Sequence, residues 1–192
     1  MNRNRAFDLP AAEPSAPGLF RRLLASDRER LRDHLLRLDP QDRLLRFAGQ
    51  VSDAQIDGYC DGFDWGGGVA IGYLVDGELR GLGELKPIGG VSRAAEAALS
   101  VERPFQNQGI GTELLRRLIL VARNRSIRTL HMICLLENGK VLRMVRKLGA
   151  TLTFDRGEVE ARFPLPWPNQ LTLLLELLDE AGAVLAVLHR AA

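Results

Sequence analysis

From Gly18 onward, apolar positions recur at two spacings, every second residue and every third or fourth, which predicts alternating strands and helices. Leu19, Phe20, Leu23 and Leu24 fit a short first strand. Leu31, Leu35, Leu36 and Leu38 then recur at helical spacing behind Ser26 or Asp27 as N-cap. Asp39-Pro40 should end that helix, because the residue before a proline is pushed out of the α region. Ser52-Asp53-Ala54-Gln55 has the form of a capping box and should open a second short helix toward Cys60. The apolar run 69–75, then Asp76-Gly77, then 79–85 predicts an antiparallel hairpin, since Asp-Gly suits the two positive-φ positions of a type I′ turn. Residues 96–101 are apolar at nearly every position, as expected of a central strand covered on both faces.

Ile110, Leu114, Leu115, Leu118, Ile119 and Ala122 mark one face of a long helix, with Thr112, Glu113, Arg116, Arg117 and Arg123 mostly on the other. Residues 130–135 predict another strand, 141–148 a helix stopped by Gly149, and 151–154 with 159–163 a closing hairpin. Pro164, Pro166 and Pro168 form a hinge before a last helix that begins near Asn169 or Gln170. Leu171, Leu173, Leu174, Leu175, Leu177 and Leu178 surround that helix on nearly every side, more than one packing contact covers. It is therefore expected to pack on a second subunit and give a homodimer; the alternative is a helix over its own sheet, with 184–188 as an added strand. The domain plan that results is a flexible arm at 1–17 carrying Pro10, Pro14 and Pro17, a folded domain at 18–165, and an apolar appendage at 166–192.

Composition narrows the class. The 192 residues are 46% hydrophobic and 26% charged, enough apolar surface to offset the ordering entropy of a folded domain. A net charge of +2 gives no bulk attraction to nucleic acid, so no nucleic-acid partner is expected. Cys60 and Cys134 cannot form a disulfide framework, and no Cys/His spacing fits a metal, so none is expected. The start, Met1-Asn2-Arg3-Asn4-Arg5, leads into prolines rather than an apolar core and does not read as a signal peptide. The apolar stretch 171–188 is broken by Glu176, Asp179 and Glu180, so no membrane association is expected and a cytoplasmic setting follows as the default.

Chemistry concentrates in residues 101–112, Val-Glu-Arg-Pro-Phe-Gln-Asn-Gln-Gly-Ile-Gly-Thr. A strand ends there, a turn follows, and Gly109 and Gly111 open the long helix. Free N–H groups and the positive end of the macrodipole make such a start an anion site, and glycines let phosphate oxygens approach the backbone. A P-loop would need Gly-Lys-Ser/Thr, where this chain has Gly111-Thr112-Glu113. A dinucleotide fingerprint would need a third glycine, where Leu114 stands, and an acid after the next strand, where Leu135-Leu136 stand.

Gln106-x-x-Gly109-x-Gly111 resembles the acyl-CoA pyrophosphate signature of the GNAT N-acetyltransferase superfamily, Gln/Arg-x-x-Gly-x-Gly/Ala. The flanks agree: 95–112 resembles the family's fourth strand and turn, 128–138 its fifth strand, and 141–150 its fourth helix. The opening, 19–47, resembles that of bacterial protein-lysine acetyltransferases. The resemblance covers about residues 18–165 and implies an α/β fold with a mixed, mostly antiparallel central sheet, a splay in its middle and helices on both faces. It implies acetyl-CoA as cosubstrate and an amine acceptor, a protein lysine or a small amine.

By the same resemblance, the pantetheine arm would pair with backbone near Leu99 and Val101, and an amide near Leu99 or Ser100 would stabilise the oxyanion. The pyrophosphate would rest on amides of Gln106, Asn107, Gln108, Gly109, Ile110, Gly111 and Thr112, and Asn138 would touch the cofactor. Arg116, Arg143 and Arg146 are candidates for the 3′-phosphate. Glu96 matches a position where lysine-acetylating members carry a Glu and is the expected base; Glu84, which interrupts the preceding strand, is the second candidate. Many members carry an acidic Tyr four residues before the glycine that closes the fourth helix, and here that position is Val145. His131 reads as a packed core histidine, and His34 and His189 as isolated. No Ser/His/Asp set is visible in the sequence, which points to direct attack. A catalytically silent acyl-CoA-binding module, or an interaction protein with an empty turn, remains the alternative.

Overall fold

The structure, a computed structural model, describes residues 18–89 and 93–191, with side chains as far as Ala183; the expected arm at 1–17 lies outside the described residues. Seven strands form one sheet: β1 (Leu19–Arg22), β2 (Val69–Val75), β3 (Glu78–Ile88), β4 (Ala94–Val101), β5 (Thr129–Leu135), β6 (Thr151–Asp155) and β7 (Glu158–Pro164). Their order is β1-β2-β3-β4-β5-β7-β6, antiparallel throughout except between β4 and β5. That one parallel pair runs only from Ala94 opposite Thr129 to Glu96 opposite His131. Beyond Glu96 the two strands part, which is the expected splay.

Among the described residues six α-helices cover the sheet: α1 (Arg28–Arg37), α2 (Pro40–Phe47), α3 (Asp53–Asp61), α4 (Ile110–Asn124), α5 (Gly139–Lys147) and α6 (Gln170–Ala191). Two cores result. On one face, Leu114, Leu115 and Leu118 of α4 pack with Ile71, Tyr73, Leu85 and Ala97. On the other, Leu31 and Leu35 of α1 and Ile56 and Cys60 of α3 pack with Leu79 and Leu82. Each buried leucine is worth about 1.5–3 kcal/mol over its exposed state. Gly81 and Gly83 of β3 let α4 sit close, since a Cβ at either would meet Ile110, Leu114 or Leu118 side chains at 3.2–3.4 Å.

Local signals account for most boundaries. Ser52 accepts from the Gln55 N–H while Gln55 reaches back to the Ser52 N–H, the reciprocal capping box. Asp76 and Gly77 take φ of 51° and 82°, the left-handed pair of the expected turn. The region around Pro40 differs from expectation. Pro40 does end α1, but it also opens α2, because Asp39 caps the next turn by accepting from the Asp42 N–H at 3.0 Å and proline suits the first helical position. β4 is not covered on both faces: Glu96 is exposed and Ala98, Leu99 and Val101 are half-buried, because the splay opens beside them.

α6 lies over its own domain and remains helical through 184–188, so no strand is added there. Asn124 donates to the Thr172 carbonyl and to Glu176, and Arg116 and Arg117 reach Asp179. Leu171, Leu174, Leu177 and Leu178 face outward, each more than half exposed. Among the described residues no helix is long and apolar enough to cross a membrane, and no group of His, Cys, Asp and Glu is arranged to hold a metal ion.

Candidate active site

A cleft of about 650 Å³ opens where β4 and β5 separate. Its walls are Leu99, Ser100 and Val101 from β4, the turn and helix start at 103–112, Glu137 to Val141 leading from β5 into α5, and Gln41, Asp42, Leu45 and Arg46 from α2. Gln106, Asn107, Gly109, Ile110, Gly111, Thr112 and Asn138 are all among them, so nearly every residue expected to hold a cofactor meets in one place. Gln108 is the exception: its side chain donates to the Pro104 carbonyl at 3.0 Å and stays outside the lining.

The start of α4 is open. Gly109, the N-cap, takes φ of 81° and offers no side-chain acceptor, while the first helical bond runs from the Glu113 N–H to the Gly109 carbonyl. The N–H groups of Ile110, Gly111 and Thr112 therefore have no intrahelical partner and lie at the cleft wall. At Gly111 a Cβ would find nothing nearer than 3.8 Å, so the protein itself has room there and the missing side chain leaves that room to the cleft. Gln106 ties the turn to the strand end, donating to the Val101 carbonyl at 2.9 Å and accepting from Lys140 at 3.1 Å.

Glu113 is no obstacle to an anion. It points away and is held by Arg116 and Arg117 at 2.7–2.8 Å; burial opposes its charge, but those bonds keep its carboxyl below the usual range. This corrects the expectation for Arg116, which serves Glu113 and Asp179 rather than the cleft. Arg143 and Arg146 are exposed on α5 outside the lining, and among the described residues Arg46, Arg103 and Lys140 are the cations that line it. Asn138 spends its side-chain oxygen on capping α5, accepting from the Val141 N–H.

The two carboxylates stand on the same face of the sheet, since Glu84 pairs with Ala98 and Glu96 with Lys86 across β3 and β4. They differ in surroundings. Glu84 is buried, ion-paired with Arg46 and bonded by the Tyr59 hydroxyl at 3.0 Å. Burial works against the Arg46 charge, but Glu84 outweighs it and raises the guanidinium's pKa. Glu96 is exposed where the splay begins. Neither lines the cleft itself; Arg46, which does, is the ion-pair partner of Glu84. Val145 is fully buried in the core, so the helix position that holds a Tyr in many members of the resembled family faces away from solvent here.

The histidines depart from expectation. His131 is no core residue: it is partly exposed and bonded to Glu160 at 2.5 Å across β5 and β7. His34 is not isolated. It is fully buried, with Nε2 2.9 Å from Ser100 Oγ and Nδ1 3.2 Å from Glu102. Glu102 also accepts from Arg37 and Arg80, both at 2.9 Å. Burial alone would raise the Glu102 carboxyl, but its three donors bring it down to about 2. A Ser–His–Glu chain is thus present, assembled from positions 66 and 68 residues apart. Elsewhere, Trp65 packs edge-on against Phe63 away from the cleft, and Asp57 and Asp61 pair with Arg32 and Arg28. Burial pushes the Cys60 thiol up to about 11, as befits an inert core cysteine.

Comparison with known proteins agrees with this geometry. Residues 32–150 match the Acetyltransferase (GNAT) family. Acetyltransferase PA5475 of Pseudomonas aeruginosa is 34% identical over 126 residues; the match covers 59% of this chain and 63% of that relative, so less than two thirds of its length is spanned. Among solved structures, the GNAT domain of S. lividans PAT superposes with a TM-score of 0.66 at 24% identity, covering 76% of this chain and 89% of that one. The ribosomal-protein-S18-alanine N-acetyltransferase of Escherichia coli superposes at 0.62 and 15% identity, covering 80% and 97%. A ribosomal L7/L12 α-N-protein acetyltransferase in complex with coenzyme A superposes at 0.59 and 20% identity, covering 79% and 97%. With more than half its length matched by the family and the sheet splayed at the same parallel pair that carries the open helix start, this chain belongs to the GNAT acetyltransferase family.

Proposed function

We propose that the protein transfers an acetyl group from acetyl-CoA to a primary amine, on a protein lysine or a small molecule, by direct attack in a ternary complex. The observation that carries this reading is the uncapped start of α4, whose N–H groups and Gly111 gap face the cleft at the splay. The pyrophosphate would rest there, with the pantetheine running along Leu99 and Val101 in the gap that β5 leaves. Each charge-assisted amide contact contributes about 1.5–3 kcal/mol.

For the base, the surroundings favour Glu96 over Glu84. Glu84 is committed to Arg46 and Tyr59, whereas Glu96 is exposed beside the opening and shares the strand face of Ser100. Glu96 would take the first proton from the acceptor ammonium, directly or through water. The acyltransferase unit is residues 18–165 with 166–192 as an appendage, and the two lone cysteines support a cytoplasmic setting.

The test is turnover of acetyl-CoA against a mixed panel of lysine peptides, polyamines, amino acids and aminoglycosides, with products read by mass spectrometry. Acetylation of an amine nitrogen is expected. Tight acetyl-CoA binding with no turnover on any amine would favour the silent-module reading instead.

A further inference from the structure

Transfer to an amine releases coenzyme A as a thiol, so a proton must reach its sulfur. The helix position that would supply a tyrosine holds buried Val145. Among the described residues the cleft has two lining hydroxyls: Thr112 sits on the first turn of α4, where the pyrophosphate belongs, and Ser100 sits beside Leu99 on β4. Ser100 is backed by His34 and Glu102, and each link is within hydrogen-bonding distance.

The hydrogen bonds fix the direction of this chain. Glu102 receives bonds from Arg37 and Arg80 and accepts from His34, so the His34 proton sits on Nδ1. Nε2 is then bare, and Ser100 Oγ–H donates to it. That is the order of the Ser-His-Asp/Glu arrangement, in which a histidine activates or reprotonates a hydroxyl: hydroxyl, imidazole, carboxylate. Burial holds the His34 pKa below its ordinary value against the pull of Glu102, with Arg37 adding to the lowering and the Leu79 carbonyl opposing it. A ring so held is neutral at rest and gives a borrowed proton back readily.

We propose that Ser100, backed by His34 and Glu102, carries the proton that leaves the attacking amine to the departing sulfur of coenzyme A. This rests on the acetyl-transfer reading above. The ammonium of the acceptor first loses one proton to Glu96 or water. The neutral nitrogen attacks the thioester carbon, forming the C–N bond and a tetrahedral intermediate whose nitrogen bears one proton too many. That proton passes to Ser100 Oγ as the Ser100 proton passes to His34 Nε2, leaving an imidazolium paired with Glu102. When the C–S bond breaks, Ser100 gives its proton to the thiolate and recovers one from His34 Nε2. The amide, the thiol and one solvated proton are the products, and the chain returns to its starting state. Ser100 is a catalytic residue in this scheme; His34 and Glu102 are positioning residues.

Acetyl-CoA binding is measured first by calorimetry on the full chain, and turnover then with the panel amine acetylated fastest. Ser100→Ala should lower kcat by about a hundredfold while the KM for acetyl-CoA stays within about twofold. Ser100→Thr, which keeps the hydroxyl, should restore most of the rate. His34→Gln should lose a similar amount, and the double variant should be no slower than either single one, because both remove the same relay. Wild-type kcat in a folded Ser100→Ala protein would overturn the proposal, as would losses that multiply in the double variant. Acetyl found on Ser100 during turnover would overturn it too, in favour of a covalent route. If the unaltered protein binds no acetyl-CoA, the acetyl-transfer reading itself fails and this proposal falls with it.

Discussion

At one end of the cleft, residues 106–112 present backbone N–H groups from a single continuous turn, whereas at the other Arg46 of α2 and Ser100 of β4 line the wall, backed by Glu84 of β3, His34 of α1 and Glu102 just past β4. The turn binds through what the backbone always carries, so its chemistry depends on glycine positions and a helix start. The polar wall works through side chains, and each is held by another: Glu84 by Arg46, His34 by Glu102, Glu102 by two arginines. A change in the turn should therefore cost ligand affinity with little loss of fold. A change in the wall should cost stability, rate or both, depending on whether it strands a buried charge.

The largest effect is expected at the buried ion pair. Glu84→Gln leaves the Arg46 charge buried without its counterion, and should destabilise the protein by about 3 kcal/mol or more in denaturant unfolding. If it instead leaves stability unchanged and removes turnover, the base is Glu84 and the comparison of the two carboxylates is reversed.

Next in size is Glu96→Gln. It keeps shape and loses basicity on an exposed site, so kcat should fall by about a hundredfold with unfolding midpoint and acetyl-CoA affinity held. A variant with full turnover at all pH values would remove Glu96 from the mechanism.

Acid should loosen the wall before the turn. The His34 pKa is lowered from 6.5 in the folded state, so the unfolded chain binds more protons as pH falls below that value, and stability falls with it. Glu102 is lowered from 4.5 to about 2, so its contribution is present above 4.5 and is lost as pH falls toward 2. Asp27, held down chiefly by its bond from Arg21, adds to the same loss between 3.8 and about 2. Thermal unfolding followed from pH 7 to pH 3 should show a falling midpoint throughout. A His34→Gln protein should lose the upper part of that slope; an unchanged slope would show that His34 does not set it.

The smallest effect concerns α6. Leu171, Leu174 and Leu178 lie at i, i+3 and i+7 on an exposed face, and a homodimer through that face is the expected assembly. Leu174→Glu with Leu178→Glu should give a folded monomer in sedimentation, while leaving the cleft untouched. A wild-type protein already monomeric at micromolar concentration would dismiss the dimer.

The two ends of the cleft also differ in how far the sequence revealed them. Gln106, Gly109 and Gly111 lie within six residues, so spacing alone exposed the turn, as it did the Ser52 capping box and the Asp76-Gly77 hairpin. α2 is hidden in the sequence because Asp39-Pro40 reads as a helix stop. The same dipeptide is also a start, with Asp39 as cap and Pro40 at the first helical position, and reading it so would have found the helix that brings Arg46 to the cleft. His34, Ser100 and Glu102 have no such local signature. They meet because α1 crosses the sheet face that carries Ser100, and the apolar pattern of α1 marks which side of it is buried, not which strand residue it faces. For His131, alternation within an apolar strand points inward, whereas the pairing of β5 with β7 puts it beside Glu160.

One measurement bears most directly on the central claim: titration of acetyl-CoA by calorimetry into the wild-type protein and into Gly111→Val. A Cβ at Gly111 meets no protein atom nearer than 3.8 Å, so the variant should fold with an unchanged thermal midpoint. Its side chain would occupy the space beside the open amides, and binding seen in the wild type should weaken by at least about a hundredfold, the loss of roughly two charge-assisted contacts. Equal acetyl-CoA affinity in the two folded proteins would contradict the account.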